Sequence, residues 1–170
     1  MDLKTKIREI NDFPEKGIIF RDITTLLKDA DALRDAISQM EEKTKGLEYD
    51  IIIGPESRGF IFGMPIAYNQ NKGFVPVRKK GKLPAEVVRK EYSLEYGTAV
   101  IEMHADALKK GQKVLIVDDL LATGGTTKAI IELVEEMGAE VSGLIFLIEL
   151  EELKGREALN GYYAESIIRY

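Results

Sequence analysis

Several residue types are scarce or missing in this chain. The 170 residues include no cysteine and no tryptophan, and His104 is the single histidine. A chain without cysteine forms no disulfide and does no thiol chemistry, and one histidine cannot build a histidine-rich metal site. The apolar runs have the length of strands, so the sequence predicts no segment that spans a membrane.

The overall composition suits a globular protein. Hydrophobic residues make up 45% of the chain, and the formal net charge is −5. This length and hydrophobic fraction predict one domain over residues 1–170 with a full core. The acidic balance argues against a nucleic-acid-binding surface. Residues 1–10 mix charged and apolar side chains, which predicts an amphipathic helix rather than a signal peptide and therefore a cytoplasmic protein.

Strand patterns alternate with helix patterns along the chain. Apolar runs that end at turn residues predict strands at 49–53, 74–77, 113–117 and 141–150. Apolar residues at helical spacing predict helices near 32–40, 59–70 and 130–137. The alternation favours an α/β fold with a mostly parallel, twisted sheet flanked by helices. Residues 78–102 interrupt it, and we interpret them as an inserted β-hairpin flap.

The most informative stretch is VLIVDDLLATGGTT at 114–127. A predicted buried strand leads into two carboxylates, Asp118 and Asp119, and then into a glycine- and threonine-rich turn that opens a helix. Backbone N–H groups at a helix N-terminus bind phosphate, and glycines let the backbone approach the anion. The acids repel phosphate, so they must serve a sugar diol, a magnesium ion or a developing cation. The stretch therefore predicts a site for a phosphorylated sugar.

The alternatives for this stretch are weaker. Its spacing matches neither the Walker A loop nor the dinucleotide-binding fingerprint. An ordinary strand-to-helix turn with a threonine N-cap is a simpler interpretation. That interpretation gives no reason for two acids at the end of a buried strand.

A second candidate anion site is Glu56-Ser57-Arg58-Gly59, which follows a predicted strand and opens a predicted helix. The Arg58 guanidinium can donate two hydrogen bonds to phosphate oxygens, and the helix N-terminus adds backbone donors. The alternative is a helix start that Ser57 caps, and the two interpretations are compatible.

The predicted flap begins with an excess of positive charge. Over residues 78–90 a single acid, Glu86, stands among six cations, which are Arg78, Lys79, Lys80, Lys82, Arg89 and Lys90. This excess predicts a polyanionic ligand, with Lys82 and Arg78 as its first contacts. The alternative is a solvated hairpin whose lysines protect an exposed edge.

The segment IIFRD at 18–22 is an extended stretch with two possible uses. An aromatic ring between apolar residues can stack on a purine. The residues by themselves favour the other interpretation, a core strand with an Arg-Asp pair at the surface.

Five further segments carry a resemblance to a known family. They are FPEKGIIFRDIT at 13–24, ESRGF at 56–60, RKKGKLP at 78–84, YSLEYG at 92–97 and LKGRE at 153–157. The 114–127 stretch resembles the phosphoribosyl pyrophosphate (PRPP) motif of type I phosphoribosyltransferases. With the other five segments in order along the chain, the sequence is similar to the adenine phosphoribosyltransferase family.

This resemblance implies a fold, a reaction and partners. The fold would be that of type I phosphoribosyltransferases, with a flexible flap at about 78–102 and a base-binding segment at about 1–30. The reaction would be the transfer of the 5-phosphoribosyl group from PRPP to adenine, which gives AMP and pyrophosphate in purine salvage. The implied cofactor is Mg²⁺, held mainly by PRPP and pyrophosphate rather than directly by side chains, and the implied assembly is a homodimer.

The resemblance also implies roles for individual residues. The catalytic group would be Glu95, Asp118, Asp119 and Arg58. The 5-phosphate would be bound by Ala122, Thr123, Gly124, Gly125 and Thr126. Pyrophosphate would be bound by Glu56, Ser57, Arg58, Gly59, Arg78 and Lys82, with a strained Glu56–Ser57 peptide whose isomer the residues leave open. Adenine would lie between Phe20 and Leu120, against the main chain of Ile19 and Arg21, with Tyr96 beside Glu95 in the flap.

Two rival functions remain. A PRPP sensor without catalysis would keep the phosphate loop and could lose the flap or the base site, whereas this chain has all three. A phosphoribosyltransferase for hypoxanthine, guanine or xanthine usually places a lysine against the purine O6, and we find no matching lysine in the sequence. A main-chain carbonyl and amide match the N6 donor and N1 acceptor of adenine, and unpaired buried groups would penalise the other purines.

Overall fold

The computed structural model describes residues 1–94 and 97–170. Its strands are β1 (Arg8–Asn11), β2 (Ile19–Asp22), β3 (Ile51–Pro55), β4 (Gly73–Lys79), β5 (Val87–Ser93), β6 (Thr98–His104), β7 (Lys113–Leu121), β8 (Glu140–Glu149) and β9 (Ala164–Arg169). Its α-helices are α1 (Thr24–Leu27), α2 (Ala30–Glu42), α3 (Arg58–Asn69), α4 (Gly125–Glu136) and α5 (Gly155–Ala158). Short 3₁₀ turns cover Leu3–Lys6 and Glu151–Leu153.

Seven strands form the main sheet, in the order β5-β6-β4-β3-β7-β8-β9. The pairs β4–β3, β3–β7, β7–β8 and β8–β9 are parallel. β6 pairs antiparallel with both β4 and β5. The prediction of a mostly parallel sheet flanked by helices is confirmed. The predicted flap is the β5–β6 hairpin, and it extends the edge of the same sheet.

The middle of β7 is buried on both faces of the sheet. Leu115 and Val117 pack with α2 and α3 on one face, and Val114 and Ile116 pack with α4 on the other. Alternate side chains of a strand point to opposite faces, so a strand covered on both faces must be continuously apolar. That is why the run 114–117 has no alternation of apolar and polar residues.

The predicted N-terminal helix is wrong. Residues 3–6 form only a 3₁₀ turn, and β1 follows at once and pairs antiparallel with β2. Leu3 and Ile7 are buried, as the pattern required. A spacing of four residues between apolar side chains fits one turn of helix, but it also fits positions of a turn-plus-strand that meet the same core.

Several strands differ from their predicted bounds, and one was not predicted. β7 continues through Asp118, Asp119 and Leu120 to Leu121, so the two acids belong to the strand itself. β5 (Val87–Ser93) lies within the predicted flap, whereas β9 was not predicted. Within residues 1–94 and 97–170 no helix combines the length and apolar character needed to cross a membrane.

Candidate active site

The loop between β7 and α4 forms one wall of a cavity of about 260 Å³. Gly124 adopts the left-handed conformation with φ of 86° just before α4 begins. None of the described side chains caps the first turn of α4. The N–H groups of that turn are therefore available to an anion in the cavity, where the helix dipole also favours negative charge.

The cavity brings most of the predicted phosphate and sugar residues together. The lining residues are Pro55, Glu56, Arg58 and the continuous stretch 118–127. All five residues predicted to bind the 5-phosphate and both predicted aspartates belong to this stretch. Arg78, Lys82, Ser57 and Gly59 do not line the cavity.

A second chain segment supports this loop from behind. Gly155, the first residue of α5, lies so close that a Cβ there would overlap the carbonyl oxygen of Ala122 and lie 2.8 Å from Leu121 Cδ1. A Cβ on Gly124 would lie 2.7 Å from the carbonyl oxygen of Gly155. The LKGRE segment therefore positions the loop between β7 and α4 through backbone contact, a role that its sequence did not reveal.

The two aspartates have different surroundings although they are adjacent. Asp118 faces the start of α3, where a Cβ on Gly59 would lie 3.0 Å from its Oδ1. Its Oδ1 also accepts the N–H of Asp119 at 2.8 Å. Asp119 forms an ion pair with Arg58, with Nε and Oδ2 at 2.9 Å, and its side chain is only 7% exposed. The absence of a side chain at Gly59 is what admits the Asp118 carboxylate.

Both aspartates are harder to ionise than an ordinary carboxyl group. Burial and the neighbouring Asp119 charge raise the pKa of Asp118 well above its usual range. Burial also raises the pKa of Asp119, and the Arg58 guanidinium opposes that rise. Any positive charge that develops nearby would stabilise the ionised form of these two buried carboxyl groups.

A smaller cavity of about 150 Å³ adjoins the first. Its lining is mainly apolar and consists of Ile18, Ile19, Phe20, Arg21, Arg58, Asp119, Leu120, Ile148 and Leu150. All four predicted adenine residues are present. Arg58, Asp119 and Leu120 line both cavities, so the Arg58–Asp119 ion pair stands between them.

Contacts outside the smaller cavity hold its β2 wall. The Arg21 guanidinium pairs with Glu9 and stacks over the ring of Tyr170, 3.8 Å from its centroid. The ring of Phe20 makes an edge contact with Phe13 at 5.3 Å between centroids. These contacts hold the Arg21 side chain and the Phe20 ring in place at the edge of the cavity.

The turn at 78–82 is tied to the site through carboxylates. Glu56 accepts the N–H of Lys79 at 2.6 Å and lies 3.4 Å from Arg78 Nε. Glu102, which is 2% exposed, accepts the N–H of Gly81 at 2.6 Å. These two acids hold the turn on which the exposed Lys82 stands.

Carboxylates of this chain neutralise part of the positive charge of the flap, so fewer cations remain for a ligand than the composition indicates. Arg78 pairs with Glu56, Arg89 with Glu102, and Lys90 with Glu132 and Glu136. Only Lys79, Lys80 and Lys82 of the six cations form no ion pair within the described part of the chain. The predicted flap residues Glu95 and Tyr96 lie outside the described residues.

The remaining sequence expectations concern the start of α3 and a metal. The Glu56–Ser57 peptide is cis, and Ser57 precedes α3 without capping it through its side chain. Among residues 1–94 and 97–170 no cluster of three or more His, Cys, Asp or Glu side chains could hold a metal ion.

A glycine- and threonine-rich loop after a central parallel strand, a buried aspartate pair and an adjoining, mainly apolar cavity are the features of a type I phosphoribosyltransferase. Comparison with known proteins agrees, since the family model for the phosphoribosyl transferase domain matches residues 22–167. The adenine phosphoribosyltransferase of Lachnoclostridium phytofermentans is 62% identical over 99% of this chain and 97% of its own length. That of Acetivibrio thermocellus is 60% identical over the full length of both.

Solved structures give the same result. The adenine phosphoribosyltransferase of Thermoanaerobacter pseudethanolicus superposes with a TM-score of 0.97 at 54% identity, over 99% of this chain and 98% of that one. The Saccharomyces cerevisiae enzyme, solved with adenine and an imino-altritol bisphosphate, has a TM-score of 0.90 at 38% identity, over 97% of this chain and 96% of that one. The chain belongs to the adenine phosphoribosyltransferase family, the enzymes that convert PRPP and adenine to AMP and pyrophosphate.

Sequence reasoning missed several residues of the site. Ile148 and Leu150, which line the smaller cavity, lie at the carboxyl end of the predicted strand 141–150. Ligands of parallel sheets bind at that end, so their position was an available signal. Glu102 and Tyr170 had no such signal, because their contacts join segments distant in sequence.

Proposed function

We propose that this chain catalyses the Mg²⁺-dependent transfer of the 5-phosphoribosyl group from PRPP to adenine with the residues of the two adjoining cavities. The observation that supports this assignment is the shared wall of Arg58 and Asp119. A phosphorylated sugar in the larger cavity and a planar base in the smaller one would meet at that wall, which is where the glycosidic bond must form.

The larger cavity would hold the sugar phosphate. The 5-phosphate would bind the loop of Ala122, Thr123, Gly124, Gly125 and Thr126, which lines the cavity at the start of α4. The hydroxyls of the ribose are hydrogen-bonded by Asp118 and Asp119. When the bond from C1 to pyrophosphate breaks, the sugar gains positive charge, and the two carboxylates stabilise it electrostatically.

Pyrophosphate would leave towards the start of α3. Arg58 and the uncapped amides of α3, with Ser57 and Gly59, accept its charge, and Arg78 and Lys82 approach from the 78–82 turn. Glu56 holds that turn through the N–H of Lys79, so we assign it a positioning role beside the pyrophosphate. The oxygens of Asp118 and Asp119 suit a hard cation, but they are too few for a complete site. Mg²⁺, bound mainly by PRPP oxygens, would neutralise the leaving group.

The smaller cavity would hold adenine between Phe20 and Leu120. The main chain of Ile19 and Arg21 would match the N6 donor and the N1 acceptor. N9 bonds to C1 as pyrophosphate departs, and the proton of the base passes to Glu95 of the flap, with Tyr96 beside it. Flap closure would exclude water, which otherwise hydrolyses the sugar cation.

The first test supplies adenine, hypoxanthine, guanine and xanthine separately with PRPP and Mg²⁺ and measures nucleotide by chromatography. We expect AMP from adenine and little product from the other bases. IMP, GMP or XMP in comparable yield would overturn the base assignment. No product from any base, with PRPP binding retained, would identify a sensor.

The aspartate assignment has a matched pair of variants. Asp119→Asn should reduce kcat far more than it reduces thermal stability, because it removes negative charge beside C1. Asp106→Asn, which changes an exposed aspartate in the turn after β6, should leave kcat unchanged. Equal rates for Asp119→Asn and the parent enzyme would refute the assignment.

We further propose a homodimer that uses the outer face of α3. Ile61, Met64 and Tyr68 lie at positions i, i+3 and i+7 and are 37%, 51% and 85% exposed. Such an apolar stripe on a helix that begins at Arg58 would place the partner next to the site. Met64→Glu should give a monomer in light scattering, whereas Leu153→Glu, at another exposed apolar residue, should not. A dimer that survives Met64→Glu would contradict this interface.

The organisation as one domain, the cytoplasmic location and the role in purine salvage stay predictions. The one-domain organisation draws support from the main sheet, which contains both β7, the strand before the phosphate loop, and the flap strands β5 and β6. The last draws support from the family's reaction, which recovers a free purine base as its nucleotide.

A further inference from the structure

A side chain of the flap contacts the loop that we assign to the 5-phosphate. Tyr92, in β5, places its hydroxyl 3.0 Å from Oγ1 of Thr126 in the first turn of α4. The Tyr92 ring also passes 3.9 Å from the position of a Cβ on Gly125. Tyr92 therefore contacts two consecutive residues of the loop assigned to the 5-phosphate. We call β5, the strand of the flap that carries Tyr92, the flap stem.

The direction of this hydrogen bond follows from the ligand. Either hydroxyl can donate when the two are alone. A phosphate oxygen only accepts at neutral pH, so Thr126 must give it the single proton of its hydroxyl. Oγ1 of Thr126 can then only accept from Tyr92, and the result is a chain in which Tyr92 donates to Thr126 and Thr126 donates to phosphate. Such chains strengthen each member by polarisation.

A second contact holds the same strand without touching the loop. Nζ of Lys90 lies 2.5 Å from Glu136 and 3.4 Å from Glu132, both on α4. β5 therefore contacts α4 at Lys90 as well as at Tyr92. The two ion pairs of Lys90 involve no residue of the loop at 122–126.

We propose that Tyr92 is a positioning residue for the 5-phosphate, which orients the Thr126 hydroxyl towards the phosphate and makes phosphate binding depend on the docked position of the flap stem. This inference rests on the assignment of residues 122–126 to the 5-phosphate. Coupling of this kind is reciprocal, so the phosphate should in turn hold the flap stem against α4.

The test compares two ligands that differ only in the phosphate. Calorimetry gives the dissociation constants of adenosine and of AMP, and the ratio of the adenosine constant to the AMP constant isolates the phosphate contribution. Tyr92→Phe, which keeps the ring and removes the hydroxyl, should reduce this ratio by about three- to tenfold, the range for one neutral hydrogen bond. Adenosine affinity should not change, and circular dichroism should show an intact fold.

Three further variants separate the possible causes. Thr126→Ala should reduce the ratio. Adding Tyr92→Phe to it should reduce the ratio no further, because the Tyr92 hydroxyl then has no Thr126 hydroxyl to orient. Thr126→Ser keeps the hydroxyl and should restore most of the ratio. Lys90→Gln removes the second contact between β5 and α4 but leaves the Tyr92–Thr126 hydrogen bond that docks the strand at the loop, so the ratio should stay close to that of the parent.

Each contrary result has its own meaning. If Thr126→Ala leaves the ratio unchanged, the assignment of the phosphate loop fails. If Thr126→Ala reduces the ratio but Tyr92→Phe does not, or if the two effects add, the role of Tyr92 is overturned. A loss in Lys90→Gln equal to that in Tyr92→Phe would also overturn it, since docking alone would then account for the effect.

Discussion

Gly155→Ala is the sharpest test of how the phosphate loop is held in place. The added Cβ would overlap the carbonyl oxygen of Ala122 and lie 2.8 Å from Leu121 Cδ1. The oxygen belongs to backbone and cannot rotate away as a side chain can. Normal contact therefore requires the loop or α5 to move by roughly an ångström, since Cβ contacts much below 3.4 Å force one side to shift.

Two magnitudes follow from this displacement. Overpacking of a well-packed position costs about 1–3 kcal/mol of unfolding free energy. A catalytic site displaced by about 1 Å loses about 10²-fold in rate. We therefore expect kcat/KM for PRPP to fall by about 10²-fold while the protein remains folded.

The assay needs a control with a similar stability loss and no contact with the loop. Gly161 has φ of +93° and open space around its Cβ position, so Gly161→Ala costs about 1–3 kcal/mol through backbone strain alone. Urea unfolding gives both stabilities, and initial rates give both values of kcat/KM. If Gly155→Ala keeps the parent kcat/KM, or if Gly161→Ala loses as much, the support of the loop by α5 is refuted.

Two aspartates should respond to pH in opposite ways. The raised pKa of Asp118 means that its charge destabilises the fold at neutral pH, so Asp118→Asn should raise Tm there and lower kcat. The gain in Tm should vanish below the ordinary pKa of 3.8, where the parent carboxyl is protonated in both states, and an equal or lower Tm at neutral pH would contradict the buried charge. Hydrogen bonds from the N–H and hydroxyl of Thr24 and from Arg8 lower the pKa of Asp22 to about 2. Asp22→Asn should therefore destabilise the protein above pH 4, and the deficit in Tm should shrink as the pH falls towards 2; a deficit independent of pH would show that the charge has no part in it.

The grouping of residues 118–127 around one cavity could be predicted because these residues are consecutive in sequence. A continuously apolar strand, two acids and a Gly-Gly turn before a helix each have a local cause, and in the structure residues 118–127 line one cavity. The alternation of strands and helices likewise predicted the parallel sheet. Local pattern did not predict where β7 ends, because an acid at a strand end fits the strand and the loop equally well.

The N-terminal segment shows the limit of local pattern. Residues 3–10 have apolar side chains at a spacing that suits a helix, yet β1 forms because β2 offers it a partner. A strand pairing is a contact between separate segments, and no residue of β1 encodes its partner. The IIFRD segment was ambiguous for the same reason. It lines a cavity only together with Ile148 at the end of β8 and Leu150 just after it.

The sequence by itself determined the family of this protein, through its resemblance to adenine phosphoribosyltransferases, and it predicted a phosphate loop and an aspartate pair. Only the tertiary structure decided how these parts are joined. It placed the Arg58–Asp119 ion pair between the two cavities, set α5 behind the loop, and brought Tyr92 of the flap to Thr126. The reason is physical, because side-chain periodicity encodes which face of an element is buried, whereas the order of strands in the sheet decides which distant residues meet.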